Sequence, residues 1–176
     1  MTCKKLNTTF NVTDINKLEE YIRYNIEGSS EGISYSNFTA NDTLQFYRVI
    51  PKQYRDRFSV SLMEVTGNVP PHTDSGVTAV INFYVTTNNC LTQFYELLDA
   101  GSGAFQVANQ TDGFVYSLDK LKATDSFTAD PGDAWVLDVS KPHAVIANTP
   151  SATPRLAICL STNVFSYDEL LRLLNL

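Results

Sequence analysis

Only two histidines occur in this chain, and each stands where it could help to hold a metal ion. His72 lies in Pro70-Pro71-His72-Thr73-Asp74, and His143 lies far downstream in Lys141-Pro142-His143-Ala144-Val145. Side chains two apart on an extended segment point to the same side. His72 and Asp74 can therefore grip one ion while Thr73 points away. Two imidazoles and one carboxylate on one face of iron(II) leave the other coordination positions open. Twelve positions after His143, Arg155 opens the apolar run Leu156-Ala157-Ile158-Cys159-Leu160. A guanidinium turned inward there needs a carboxylate partner, which a bound ligand could supply in bidentate geometry. Singly, each residue has an ordinary reading. His72 is then a loop histidine, His143 a hydrogen-bonded histidine at a strand end, and Arg155 the partner of a surface acid. As an ordered set, they form the one feature of the sequence that carries chemistry.

That set resembles the motif of the iron(II)/2-oxoglutarate-dependent dioxygenases, a family built on a double-stranded β-helix or jelly roll. The resemblance runs from about Phe58 to Ser161. It implies that His72, Asp74 and His143 ligate iron(II), and that Arg155 binds the far carboxylate of 2-oxoglutarate. Asp130-Pro131-Gly132-Asp133-Ala134-Trp135-Val136-Leu137-Asp138 is similar to the Gly-Asp turn and apolar strand that precede the distal histidine. Leu91-Thr92-Gln93-Phe94-Tyr95 is similar to the strand after the His-x-Asp, without the paired glycines of prolyl-hydroxylase-like members. Family members often add a Tyr, Ser, Thr or Asn to the same carboxylate. Tyr84 and Asn82 are the candidates here, with ordinary strand packing as their bland alternative.

The implied reaction is oxidative. 2-Oxoglutarate and O2 are consumed, succinate and carbon dioxide are released, and an unactivated C–H bond is hydroxylated. A peptidyl substrate, such as a prolyl residue in a protein, is the first expectation, and a free amino acid or small metabolite the second. Two further readings stay open. One is a cupin-like metal- or sugar-binding jelly roll without oxygenase chemistry, although such proteins usually use more histidines. The other is a binding module with an inactive iron site.

These residues need a scaffold, and the chain has the bulk for one. Its 176 residues suit a single domain spanning 1–176. The apolar fraction of 43% is that of a globular protein. No apolar stretch is long enough to cross a bilayer, and the start lacks the apolar segment of a signal peptide. Cys3, Cys90 and Cys159 are too few and too scattered for a disulfide framework, which fits a cytoplasmic setting. The net charge of −6 disfavours nucleic acid as a partner. One basic cluster, Arg48, Lys52, Arg55 and Arg57 among Tyr47, Tyr54 and Phe58, reads as a solvated loop before a substrate patch.

Ile15, Leu18, Ile22 and Ile26 fall near helical spacing after the caps Thr13 or Asp14, so a first helix ending at Gly28 is expected. Ser29 to Asn41 reads as loop. A jelly-roll core over about 44–161 follows. Its expected strands are Leu44–Ile50, Phe58–Val65, Val77–Val85, Leu91–Leu97, Phe114–Ser117, Ser126–Thr128, Ala134–Asp138, His143–Ala147 and Arg155–Ser161. Turns are expected at Thr66-Gly67-Asn68, Asn88-Asn89, Gly101-Ser102-Gly103, Pro131-Gly132 and Thr149-Pro150. A last helix starts at the capping box Ser166/Glu169. Its leucines pack on the jelly roll or, alternatively, join two copies into a homodimer.

Overall fold

The computed structural model describes residues 1–25, 32–40, 43–99, 104–106, 114–147 and 153–176. The expected helix stop at Gly28 and the turns at Gly101-Ser102-Gly103 and Thr149-Pro150 lie outside these residues. In chain order the elements begin with β1 (Cys3–Leu6), β2 (Ile15–Asn25), β3 (Gly32–Ala40), the short helix α1 (Leu44–Tyr47) and a 3-10 turn at Lys52–Arg57. Next come β4 (Ser59–Val65), β5 (Val69–Thr73), β6 (Ala79–Thr86), β7 (Leu91–Leu97), β8 (Ala104–Gln106) and β9 (Phe114–Tyr116). The chain closes with β10 (Leu121–Thr128), β11 (Ala134–Leu137), β12 (His143–Ile146), β13 (Arg155–Thr162) and the helix α2 (Tyr167–Leu173).

Four antiparallel pairs are nested in sequence: β4 with β13, β5 with β12, β6 with β11 and β7 with β10. This long double strand is rolled up, so that β13 also pairs with β6 and β12 with β7. Two sheets result, ordered β1-β11-β6-β13-β4-β3-β2 and β10-β7-β12-β5-β9-β8. The strand order is that of a double-stranded β-helix, or jelly roll.

Alternation along the strands decides which side chains meet. Met63, Val65, Val80, Tyr84, Ala157 and Cys159 point between the sheets and meet Val69, Phe94, Phe127 and Val145 from the other side. The intervening residues Leu62, Ile81, Phe83, Val136, Ile158 and Leu160 face the outer side of the seven-stranded sheet. There they are covered by Phe46 and Ile50 around α1 and by Tyr167 and Leu170 of α2. Leu171, Leu173 and Leu174 also pack on this outer core. The capping box of α2 is formed as expected, with Ser166 accepting from the Glu169 amide and Glu169 accepting from the Ser166 amide.

The N-terminal region corrects the sequence expectation. No helix spans Ile15 to Ile22; that stretch is the edge strand β2, paired with β3, where a loop was expected. The pairing carries register shifts between Lys17 and Glu20 and between Glu20 and Ile22. Each shift resets the two-residue alternation. A bulged strand can thereby imitate the spacing of a helical stripe, and Leu18, the supposed core residue, is 61% exposed. Leu44–Ile50, expected as a strand, instead contains α1. The basic cluster belongs to this region too. Arg55 Nε donates to the Ile50 carbonyl at 3.0 Å, and Arg57 and Asp56 approach to 3.7 Å. The aromatic residues between them, Tyr47, Tyr54 and Phe58, pack on the outer core, away from the space between the sheets.

Candidate metal centre

β5 brings its prolines to the place where they cost least. The register runs from His143 opposite His72 to Val145 opposite Val69, so β5 carries one more residue than β12 across the same span. Pro70 and Pro71 sit in that bulge. Proline cannot donate to a ladder, and bulges are where strands tolerate it. The bulge re-aims the end of β5, a use common beside functional sites. His72 then faces His143 directly, with ring centroids 4.4 Å apart and planes tilted by 47°. Asp74 follows just beyond β5, where its amide donates to the Val139 carbonyl at 3.2 Å. Thr73 points the other way, toward the Tyr116 hydroxyl at 3.5 Å.

The ring orientations follow from two local hydrogen bonds. Nδ1 of His72 lies 2.8 Å from the Pro70 carbonyl, and Nδ1 of His143 lies 3.0 Å from the Lys141 carbonyl. A carbonyl oxygen only accepts, so both Nδ1 atoms carry the proton and donate. Nε2 is thereby the ring nitrogen that would bind a metal, once it carries no proton. The two Nε2 atoms lie 3.4 Å and 3.9 Å from the same Asp74 oxygen. Ligand atoms of the three residues fall within 4.8 Å of one another. Ligands at right angles on bonds of about 2.1 Å are separated by roughly 3 Å, so each histidine–carboxylate pair need close by less than an ångström. The donor set fits an octahedral ion with one face left open.

The charges agree with this geometry. Burial opposes the charged form of His72, but the adjacent Asp74 carboxylate outweighs it and holds the imidazole above its ordinary value. Burial and the neighbouring His72 push His143 down to about 4, against the pull of Asp74. Burial also opposes the charged form of Asp74, but the two imidazoles more than offset it and hold the carboxyl below its usual range.

Arg155 does turn inward. It is 2% exposed, and its Nη2 reaches across to the opposite sheet to donate to Thr92 Oγ1 at 2.8 Å. Its Cζ lies over the Tyr84 ring, 4.6 Å from the centroid, a cation–π contact. Nε and Nη1 are buried and make no hydrogen bond among the described residues. Asn82 lies two residues before Tyr84 on β6, and its Nδ2 donates to the Tyr84 hydroxyl at 3.4 Å, while its Oδ1 is buried without a partner among the described residues. Arg155, Tyr84 and Asn82 therefore cluster between the sheets, with donors and one acceptor unpartnered among the described residues. A buried polar group left unpaired is costly, and three in one place point to a polar ligand.

Two residues near the site were missed in the sequence. Thr92 had no pattern to mark it. Tyr35 lies on β3, opposite Met63 and packed against the core between the sheets, in a segment read as loop. Burial, with the Asp74 carboxylate second, raises its phenol well above the ordinary value.

No protein-family model matches the sequence, and no curated protein matches it. Among solved structures, the chain is similar to the non-heme alpha-ketoglutarate-dependent epimerase SnoN from nogalamycin biosynthesis. The identity is 15% over 81% of this chain and 66% of that one, with a TM-score of 0.46. It is also similar to hydroquinone 1,2-dioxygenase PnpCD, at 11% identity over 60% and 58% of the two chains and a TM-score of 0.39. A third similarity is to vicilin from Corylus avellana (hazelnut), at 17% identity over 76% and 28% and a TM-score of 0.41. In each case the chain covers less than two thirds of the matched protein's length. The likenesses are distant, and the fold stands on the strand order and register given above.

Proposed function

We propose that this protein is an iron(II)- and 2-oxoglutarate-dependent oxygenase. The observation that carries the reading is the buried Arg155, whose Nε and Nη1 have no hydrogen-bond partner among the described residues, between the same two sheets as the His72, Asp74 and His143 set. A metal triad alone would suit many functions. The added cation calls for an anion that also reaches the metal, and a 2-oxo dicarboxylate has both ends. Its 2-oxo acid end would bind the open face of the ion, and its far carboxylate would take the free donors of Arg155 in charge-assisted hydrogen bonds. Asn82 and Tyr84 would line the carbon chain.

Iron(II), when bound, would supply oxygen activation, with 2-oxoglutarate as the reductant that leaves as succinate and carbon dioxide. The protein's own part is binding and exclusion. His72 and His143 would offer Nε2 to the metal, His72 after losing its proton, while Asp74 would offset one of the two metal charges and Arg155 the far carboxylate. Phe94, opposite His143, and the core around Val145 and Cys159 would exclude water from a ligand bound there. The substrate reading is hydroxylation of a C–H bond on a peptidyl residue of prolyl type, with a free amino acid or small metabolite as the alternative.

The test is an anaerobic titration with iron(II) and 2-oxoglutarate. A weak visible charge-transfer band should develop at one equivalent of each, and admitting O2 should then release succinate. Metal binding without any 2-oxoglutarate response would leave a metal-binding jelly roll and remove the oxygenase reading.

A further inference from the structure

The hydrogen bond from Arg155 to Thr92 is as informative as the two guanidinium nitrogens left without one among the described residues. Thr92 stands on β7 in the six-stranded sheet and Arg155 on β13 in the seven-stranded sheet, so their 2.8 Å hydrogen bond bridges the two sheets. Both residues are 2% exposed. Arginine is long and rotamer-rich, and a guanidinium tied only to its own strand could advance or retract by the length of a methylene. The Tyr84 ring restrains it from one face. Thr92 restrains it from the opposite sheet.

The register says where that restraint lies relative to the metal ligands. Phe94 is directly opposite His143, and Thr92 is two residues away along the same face of β7, opposite Val145. One two-residue repeat of a strand is roughly 7 Å. The guanidinium is thus held about one strand repeat from the histidine row.

We infer that Thr92 is a positioning residue for Arg155, and that by fixing the guanidinium it sets the length of 2-oxo dicarboxylate the pocket accepts. This rests on the proposed oxygenase reading and adds the selectivity of its co-substrate pocket. A guanidinium fixed in place would favour one chain length, the five-carbon acid, over its four- and six-carbon homologues. A hydrogen bond to a charged group in a buried site is worth about tenfold in affinity or more. A misfit of one methylene has an effect of similar size.

The experiment uses manganese(II)-loaded protein and three probes: oxaloacetate, 2-oxoglutarate and 2-oxoadipate. Thr92→Val keeps the shape and removes the hydroxyl, and Thr92→Ser keeps the hydroxyl. In Thr92→Val, 2-oxoglutarate should bind about tenfold more weakly, while the two homologues change less, so discrimination narrows. Thr92→Ser should keep most of the wild-type preference, and manganese(II) affinity should be the same in all three proteins. Wild-type affinity and preference in Thr92→Val would overturn the inference. An equal loss for all three acids that Thr92→Ser does not restore would also overturn it, as the mark of a purely structural role. If wild-type protein binds manganese(II) but not 2-oxoglutarate, the oxygenase reading itself falls and takes this one with it.

Discussion

At the scale of single residues, the candidate site was legible in the sequence wherever residue type is rare and demanding. A chain with two histidines has few ways to bind a metal through nitrogen, and His-x-Asp can be checked against strand parity alone. Arg155 was readable because a guanidinium opening an apolar strand begs for a partner. Thr92 was not readable, since threonine in a strand is ordinary and only the fold reveals what lies across from it. Single alanine substitutions of His72, Asp74 or His143 should each abolish stoichiometric iron(II) binding and leave the far-ultraviolet circular dichroism unchanged. Full-affinity binding in His143→Ala would exclude the site, because the chain then holds only one imidazole. Arg155→Lys should weaken 2-oxoglutarate on the order of a hundredfold, since an ammonium cannot reproduce the fork of donors. Arg155→Ala should weaken it further, with little change in metal affinity, and parallel titrations of metal and acid would check both. The pH dependence follows from the two histidines. His72 is raised above 6.5 in the metal-free protein, so its proton must leave before a metal can bind. His143 is depressed to about 4 and is already neutral there. Manganese(II) affinity should therefore fall as pH drops through the His72 value, with about one proton released per metal bound. Calorimetry in buffers of different ionisation enthalpy would count that proton. For the metal-free fold the two act in opposite senses. His72 favours folding below its unfolded value and loses that contribution as pH rises through its folded one. His143 disfavours folding progressively as pH falls from 6.5 toward 4.

At the scale of elements, the regular strands of the jelly roll announced themselves and the irregular ones did not. β7, bounded by turn residues, was expected at Leu91–Leu97 and is found there. Its preceding turn places both Asn88 and Asn89 at positive φ, a conformation asparagine tolerates and β-branched residues do not. β2 was hidden because its bulges shift the alternation, and β5 because two adjacent prolines argue against a strand unless a bulge receives them. Both failures have the same physical origin: a single sequence does not show where a partner strand will force an extra residue. The cap of α2 was plain because Ser166 and Glu169 signal each other over three residues without any tertiary partner. Ser166→Ala should remove the side-chain acceptor for the Glu169 amide and cost about 1 kcal/mol of stability. Because α2 covers the outer face of the seven-stranded sheet rather than the cavity, the affinities for metal and 2-oxoglutarate should stay at wild type. Urea unfolding beside a metal titration would measure both, and a loss of ligand affinity without a loss of stability would contradict the assigned role of this helix.

At the scale of the whole molecule, the nested pairing is what makes a site out of distant segments. His72 and His143 stand 71 positions apart in sequence yet are direct partners, because β5 and β12 are the second pair of a rolled double strand. Arg155 enters from the first pair and Thr92 from the fourth, so these side chains meet only when the roll is complete. That order was not visible in the sequence, which contains strands but no statement of which strands meet. The same construction predicts that ligands will act on global stability. On the proposed reading, a metal held by β5, β12 and the segment after β5, and an acid held by β13 and facing β6, would bind the folded chain and not the unfolded one. At a ligand concentration a hundred times its dissociation constant, such linkage contributes about 2.7 kcal/mol. For a chain of this size, each kcal/mol moves the melting temperature by about 2–4 °C. Manganese(II) should therefore raise the melting temperature by about 5–10 °C. Saturating 2-oxoglutarate should add a further rise of similar size when the metal is present and almost none without it. In Arg155→Ala the metal's rise should remain and the second rise should vanish at the same concentration of acid. A second rise that survives in Arg155→Ala would mean that the acid stabilises the fold from somewhere other than this cavity, and calorimetric melts across a concentration series of the acid would show which is the case.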